Sequence, residues 1–526
     1  MFNRAALVSN GDFRDAVGVA CWPKQKETLE QVAAAFKNLG VEAVLANRFR
    51  KDKGHAFITT QAEGCRVFAG LPPDIPVVVV LSCWSYAHHV ASSLKVHKGP
   101  ILILGNFDGT WPGLVALLNH SATLARMGVR HSRIWSDRFV GDKAFMKNLK
   151  TWIETGDIPH STEHRTDAAQ LTLPADATAF GKDLAADILR NKRIIGQLDP
   201  GCMGMLNAVI GPDKMARIGM PLELLSQSDL LAEMKLVKNK EARATLAWLK
   251  KKGANFHYGK NPKTDLVEAQ VIEQMRMYHA AGRIVERYGL SAIGIPYQYG
   301  LVRSTAASDL VEGMLNNTDR PPIKSLETGK TIQAGKLIVH FNEGDVGSGV
   351  PQVLMRDILW RKKMPAETTL HDVRWGEEYD GRFVWVLLVS GGAAPAHFGG
   401  WKKTHIYRQP PMYFPLGGGT CSGVSKPGVI TWARFYESYG RIGMDCGTGE
   451  VAGLPEKEVQ RRLSLTNPEW PIANVHIPGY GRDELMATHQ SNHITICYGD
   501  ILREFVATSL ELGIPTKVVG AAAKSL

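Results

Sequence analysis

The sequence predicts an α/β fold: two doubly wound parallel-sheet (Rossmann-like) domains followed by a mainly β, barrel-like C-terminal domain. Short apolar runs alternate with amphipathic stretches in the first part of the chain, and this alternation restarts after a polar connection. From about residue 360 the chain becomes rich in glycine and aromatic residues. The predicted boundaries are 1–180, 181–358 and 359–526. A chain of 526 residues suits this division, because single cores stop growing at about 250–300 residues.

The first domain is predicted from buried strands and amphipathic helices. Glu27–Leu39 has apolar residues at helical spacing and is followed by a glycine, which is typical of a helix and its end. Ile75–Leu81 and Pro100–Leu104 are continuous apolar runs, the pattern of strands buried on both faces of a parallel sheet. The remaining predicted elements are strands at Ala5–Ser9 and Val41–Leu45 and a helix at Pro112–Met127 that begins with proline.

The later elements follow from the same patterns. A polar stretch near Gly156–Thr178 is predicted to connect the first two domains. The second domain is predicted to contain helices at Lys182–Asn191, Leu222–Val237 and Val267–Tyr288 and strands at Arg193–Gln197 and Leu337–Phe341. The third is predicted to contain strands at Phe383–Val389 and Val429–Phe435 and a helix at Asp500–Leu512.

Composition excludes several classes of protein. With 44% hydrophobic and 21% charged residues the chain is ordinary for a globular protein, and no apolar run is long enough to span a membrane. The first residues carry no apolar signal segment. Seven scattered cysteines without a C-x-x-C pair indicate the reducing cytoplasm. The net charge of +11 comes from short, dispersed clusters, so it favours no nucleic-acid partner, although it leaves an anionic substrate open.

Three ionisable residues lie beside predicted strands. Glu343 follows Leu337–Phe341, Asp372 follows a short apolar stretch, and His493 precedes another apolar run. Carboxylates at the carboxyl ends of strands point to a ligand crevice, although turns and helix caps also use such acids. Two carboxylates and one imidazole suit Mn²⁺, Co²⁺ or Mg²⁺ better than a closed zinc site.

Six short segments form a recognisable series along the chain: Cys83-Trp84, Asn106–Gly113, Cys202-Met203-Gly204, Val339–Gly349, Asp372-Val373-Arg374 and Asn492-His493. In this order they resemble the motifs of the L-fucose isomerase family, relatives of L-arabinose isomerase.

The resemblance implies roles for these residues. Glu343, Asp372 and His493 correspond to the family's metal ligands, and the two carboxylates are also its acid/base pair. Arg14 corresponds to an arginine that the family uses across a subunit interface, and His397 falls where the family has a tyrosine. The implied substrate-binding residues are Gln298, Met203, His397, Arg14, Trp84 and Asn492. The family also implies a homo-oligomer, in this case a hexamer.

Together with these residues, the resemblance implies a metal-dependent aldose–ketose isomerase acting on an open-chain sugar similar to L-fucose or D-arabinose. The proton on C2 is weakly acidic, so the ene-diolate needs positive charge near its oxygens, and two carboxylates can move the proton. Two alternatives stay open. One is an isomerase, epimerase or lyase acting on an anionic sugar or sugar acid (phosphorylated, sulfonated or a uronate). The other is a sugar-binding protein without catalysis.

Overall fold

Buried aliphatic strands form a parallel sheet in the first part of the chain. The computed structural model describes residues 2–200 and 202–526, without the side chains of Cys202 and Ser525. The elements of this part are β1 (Arg4–Ser9), α1 (Asp15–Asn38), β2 (Glu42–Leu45), α2 (Gln61–Ala69), β3 (Val77–Leu81), α3 (His88–Val96), β4 (Ile101–Asn106), α4 (Gly113–Arg126), β5 (Ser132–Ser136) and α5 (Lys143–Thr155). The strands lie in the order β2-β1-β3-β4-β5 and all pair in parallel.

The first helix is longer than predicted. It begins at Asp15 rather than Glu27 and contains Pro23. Proline normally ends or kinks a helix, so the pattern before it did not suggest one. The extra turns bury Val17 and Cys21 in a small apolar cluster with Phe57. This burial stabilises the helix before Pro23.

A second parallel sheet follows. Its part of the chain contains β6 (Arg165–Asp167), α6 (Ala175–Asn191), β7 (Ile195–Leu198), α7 (Pro212–Arg217), β8 (Leu222–Leu225), α8 (Gln227–Leu236), α9 (Asn239–Lys252), β9 (Asn255–Phe256), α10 (Glu268–Arg287), β10 (Ala292–Ile295), α11 (Asp309–Leu315), β11 (Val339–Asn342) and α12 (Val346–Arg361). The sheet order is β11-β10-β7-β8, again all parallel.

The predicted helix at Leu222–Val237 is partly wrong. Leu222–Leu225 is strand β8, and α8 begins only after Ser226, whose hydroxyl caps the backbone N–H of Ser228. A serine with an acid three residues later is a helix-start signal, and here it separates a strand from a helix.

The last part of the chain is mostly β. It contains β12 (Thr368–Tyr379), β13 (Arg382–Leu388), α13 (Pro395–Phe398), β14 (His405–Ile406), β15 (Gly428–Ser438), β16 (Arg441–Val451), α14 (Glu456–Leu465), β17 (Ile472–His476), α15 (Arg482–Thr488), β18 (His493–Tyr498), α16 (Leu502–Glu511) and β19 (Thr516–Val519). The sheet order is β15-β18-β12-β13-β17-β16-β19-β6, and β15 also pairs with β16. The predicted α/β class, with parallel sheets and a mostly β C-terminal region, is therefore confirmed, while the domain boundaries stay predictions.

The first and last sheets share one apolar core. Leu117 of α4 lies in the same buried cluster as Leu387 of β13 and Ile494 of β18. This packing holds the carboxyl ends of the first sheet beside β12 and β18. Within the described residues, we find no helix that is both long and apolar enough to cross a membrane.

Candidate active site

A cavity of about 260 Å³ lies where the carboxyl ends of both parallel sheets meet β12 and β18. Ligands of doubly wound sheets bind at such strand ends. Trp84 follows β3, Gln298 follows β10 and Glu343 follows β11. The predicted site residues that line this cavity are Arg14, Trp84, Met203, Gln298, Glu343, Asp372 and Asn492.

Strand register brings Asp372 and His493 together. They are direct partners in the antiparallel pairing of β12 and β18. His493 Nε2 lies 3.4 Å from Asp372 Oδ1 and 3.7 Å from Glu343 Oε2. The three residues that were predicted to bind a metal therefore meet around one imidazole nitrogen, although they are far apart in the sequence.

Glu343 sits on a strained turn directly after β11. Its φ is 56° and that of Gly344 is 69°, so two successive residues adopt the left-handed region. A non-glycine residue in this region costs on the order of 1–3 kcal/mol, and such strain is concentrated at functional sites. Glu343 Oε1 accepts hydrogen bonds from Gln298 Nε2 at 2.9 Å and from Ser390 Oγ at 3.2 Å, which leaves Oε2 directed toward His493.

A buried carboxylate holds the opposite side of the imidazole. Asp345 Oδ2 lies 2.7 Å from His493 Nδ1, and it also binds the buried guanidinium of Arg434. Burial alone would raise the pKa of Asp345, but Arg434 and His493 outweigh burial and hold it well below its ordinary value. Because Asp345 is ionised and only accepts, we assign the hydrogen to Nδ1. A carboxylate behind a histidine in this way is the arrangement that orients metal-ligating imidazoles.

Electrostatics at the site reflect three acids around one ring. Burial lowers the pKa of His493, but hydrogen bonds to Asp345 and Asp372 outweigh it and raise the pKa to about 10. Burial and the neighbouring Asp372 raise the pKa of Glu343 to about 7, against the opposing effect of His493. In the metal-free protein a proton on the imidazole thus occupies the place where the carboxylates attract positive charge.

The side chains of Glu343, Asp372 and His493 are of the types that bind a divalent cation, although they are not arranged at coordination distances. Among the described residues, no group of three or more His, Cys, Asp or Glu side chains is arranged so that it could hold a metal ion as it stands. Two carboxylates and an imidazole within 3.4–3.7 Å are nevertheless the set that Mn²⁺, Co²⁺ and Mg²⁺ take. We therefore regard Glu343, Asp372 and His493 as residues that would hold such an ion.

The other predicted residues surround this centre. Asn492 Nδ2 donates to Asp372 Oδ1 at 3.1 Å. Trp84 and Met203 belong to one apolar cluster, and Met203 also has a positive φ of 41°. Arg14 lines the cavity of its own chain, where it is paired with Asp12. The neighbouring Cys202 of the Met203 motif has a side chain outside the described part of the structure.

His397 is the predicted substrate-binding residue that the structure does not bring to the cavity. It lies in α13 and is buried. Its Nδ1 is 3.1 Å from Thr369 Oγ1, and its Nε2 is 3.2 Å from the carbonyl of Glu367. Both ring nitrogens therefore have structural partners, and burial lowers its pKa to about 4.

Sequence reasoning missed the residues that support the site. Asp345 stands two residues after Glu343, which was the available signal, but its partner Arg434 is distant in sequence and no pattern connects the two. Arg374 and Trp470 also line the cavity. The sequence singles out Arg374 only as part of the Asp-Val-Arg motif.

A known family model matches part of the chain. Residues 400–519 match the family model described as "L-fucose isomerase, C-terminal domain". This match, which covers 120 of the 526 residues, supports membership of the chain in the L-fucose isomerase family. The matched segment contains Asn492 and His493, whereas Glu343 and Asp372 lie before it. No curated protein matches the chain. A domain of this kind suggests a sugar isomerase, and the L-fucose isomerase family depends in general on a metal ion.

Proposed function

We propose that this member of the L-fucose isomerase family is a metal-dependent aldose–ketose isomerase for an open-chain sugar similar to L-fucose or D-arabinose. The observation that carries the proposal is the meeting of Glu343, Asp372 and His493 Nε2 beside one cavity. A binding protein without catalysis has no need of two carboxylates around an imidazole.

The proposed cation is Mn²⁺, with Co²⁺ and Mg²⁺ as alternatives, held by Glu343, Asp372 and His493. When bound, it would supply positive charge for the negative charge that develops on the two substrate oxygens. Asp345 keeps the imidazole oriented through Nδ1. Gln298 and Ser390 fix Glu343 so that Oε2 stays on the cavity side.

The reaction requires a proton to leave C2 and arrive at C1, while the O2 proton moves to O1. Glu343 and Asp372 are the acid/base pair for this transfer. A general base works best when its pKa lies near the working pH, and the buried Glu343 carboxyl has a pKa raised to about 7 in the metal-free protein. Asn492 fixes Asp372 through its amide. Trp84 and Met203 supply an apolar wall of the same cavity.

The test is metal removal followed by substrate screening. The protein is stripped with chelator, reloaded with Mn²⁺ and offered a panel of aldoses in D₂O. NMR should show the ketose with solvent deuterium at C1, and only after metal is restored. Glu343→Gln should lower turnover on the order of 10²–10⁴-fold. Glu378→Gln, an exposed acid farther along β12, is the matched control and should keep full activity. Equal turnover without metal, or full activity of Glu343→Gln, contradicts the proposal.

The predicted barrel is supported by one pairing. The cycle β15-β18-β12-β13-β17-β16 returns to β15 because β15 and β16 pair from Gly428↔Val451 to Ser438↔Arg441. We infer that these strands form a closed barrel, since closure removes exposed strand edges. Amide hydrogen exchange should then show both strands of this pair protected, whereas an open edge would leave alternate amides of β15 or β16 unprotected.

The resemblance also leads us to propose a homo-oligomer, in this case a hexamer, located in the cytoplasm. Light scattering on the purified protein measures its mass. A mass equal to one chain of 57.7 kDa would contradict the oligomer.

A further inference from the structure

Arg374 occupies an irregular position on β12. In the pairing of β12 with β13, Val373 lies opposite Leu387 and Trp375 lies opposite Val386, so Arg374 is the extra residue of a β-bulge. Bulges next to active sites turn a side chain away from its regular direction. Here the bulge comes two residues after Asp372, and both side chains line the same cavity.

Arg374 is buried with few partners. It is 4% exposed, and among the described residues its guanidinium makes one hydrogen bond, from Nη1 to the carbonyl of Trp111 at 3.1 Å. Within the described part of the chain, no carboxylate lies within 4.0 Å of its guanidinium. A guanidinium has five N–H donors, and a buried charge without a partner is costly.

The neighbouring arginines show how this chain normally compensates such a charge. Arg14 Nη2 lies 2.6 Å from Asp12 Oδ2, and its Nε lies 2.9 Å from Asp12 Oδ1. Arg434 is paired with Asp345 at full burial. Arg374 alone of these three faces the cavity without an acid of its own, so its partner is expected to arrive with the ligand.

The charges around the cavity indicate the charge that this partner should carry. The pairs Arg14–Asp12 and Arg434–Asp345 are each neutral. Glu343 and Asp372 balance a divalent cation, with His493 as a neutral ligand. The guanidinium of Arg374 is then left as one positive charge, which a ligand with one negative charge would neutralise.

We propose that Arg374 binds an anionic group of the sugar, so that the substrate carries a single negative charge on a carbon remote from C1 and C2. Successive residues of a strand advance about 3.3 Å, so Arg374 lies up to about 7 Å along β12 from Asp372, which corresponds to the far end of an open-chain sugar. A terminal sulfonate or carboxylate has the required charge and accepts two parallel N–H bonds from one guanidinium. This inference rests on the proposed isomerase function.

The experiment compares each aldose with derivatives that carry a sulfonate, a carboxylate or a phosphate on the terminal carbon. We expect the Mn²⁺-loaded protein to convert one monoanionic derivative with kcat/KM at least about 10²-fold above that of the neutral parent sugar. The doubly charged phosphate should rank between them. If the phosphate ranks first, or if the neutral sugar is converted as well as its sulfonate and carboxylate derivatives, the proposal of a monoanion is overturned.

Variants separate binding from a structural role. Arg374→Met should lower kcat/KM for the anionic sugar on the order of 10²–10³-fold, mainly through KM, and leave that for the neutral sugar within about threefold. Arg374→Lys keeps the charge and should restore part of the preference. Arg382→Met removes an exposed, glutamate-paired arginine of β13 and should change neither value. Equal losses for neutral and anionic sugars in Arg374→Met would show that Arg374 only supports the fold, and thermal unfolding of each variant identifies a folding defect.

Failure of the isomerase proposal looks different. If no sugar is converted, calorimetric titration of the metal-loaded protein with the sulfonated and neutral sugars still measures the preference. Tighter binding of the anion that Arg374→Met abolishes supports the anion site without isomerisation. No difference between the two sugars overturns it.

Discussion

Glu343→Gln should stabilise the metal-free protein, although it lowers the turnover of the metal-loaded protein. The pKa of this buried carboxyl is raised from its ordinary 4.5 to about 7, first of all by burial. A group whose pKa is raised on folding holds its proton more tightly in the folded protein, so ionising it opposes folding. This cost grows as the pH rises above 4.5 and is complete above about 7. At roughly 1.4 kcal/mol per pH unit it amounts to about 3 kcal/mol.

The amide removes this cost without removing the shape. Oε1 of the new side chain can still accept the hydrogen bonds from Gln298 and Ser390. The contact of Oε2 with His493 is lost, so we expect a net gain of about 1–3 kcal/mol at pH 8 and only a small gain at pH 5. Urea unfolding after chelator treatment, at both pH values, measures this gain. A chain of this length need not unfold in one step, so the transition that contains the tryptophan signal is compared between variants.

Glu378→Gln is the control, because Glu378 is exposed on the same strand. It should leave stability unchanged at both pH values. A Glu343→Gln protein that is no more stable than the parent at pH 8 would refute the reasoning, as would a gain of equal size at pH 5. Either result would mean that burial does not make ionisation of the Glu343 carboxyl costly in the folded protein.

Three further changes test the surroundings of the site. Asp345→Asn removes the charge behind His493 and should weaken Mn²⁺ binding on the order of 10–100-fold in a metal-buffered titration; a change below twofold would contradict this role. Gln409→Leu leaves the indole N–H of Trp470, now bonded to Gln409 Oε1 at 2.6 Å, without its acceptor, and should cost about 1–3 kcal/mol in urea unfolding together with a raised KM. His340→Leu should make acid unfolding shallower: burial lowers the pKa of His340 to about 3, so its contribution to stability, complete above pH 6.5, falls by about 1.4 kcal/mol per unit as the pH drops toward 3. Parallel acid-unfolding curves of the variant and the parent would contradict this prediction.

The predictable part of the fold depended on local patterns. Val77–Leu81 and residues 101–104 of β4 are unbroken apolar runs, and their position in a parallel sheet follows from burial on both faces. The error at Leu222–Leu225 had a local cause too, because leucine and glutamate also favour helices and only pairing with β7 makes the segment a strand. Tertiary contacts overrode propensity there.

In the candidate site, too, local patterns identify some residues, whereas strand pairing places others. Glu343 could be singled out because it ends a buried strand, and that position holds in the structure. Asp372 was expected after a strand but lies inside β12, where the pairing with His493 places it at the site. No local pattern reveals that register. His397 shows the opposite case: its position relative to a family motif suggests a substrate contact, whereas its ring nitrogens lie beside Thr369 Oγ1 and the Glu367 carbonyl.

The buried acid behind the imidazole explains why this site tolerates so much negative charge. Three carboxylates face one histidine, and such a cluster would repel itself unless positive charge entered it. Arg434 neutralises Asp345 permanently, since both are fully buried. The remaining pair, Glu343 and Asp372, has only the His493 proton, which a divalent cation at Nε2 would have to displace. Metal binding should therefore release the proton of His493, whose pKa is about 10 in the metal-free protein. The pKa of Glu343 is about 7, so its carboxyl should release a second proton in the fraction of molecules in which it is protonated. In unbuffered solution at pH 7 we expect between one and two protons released for each ion bound.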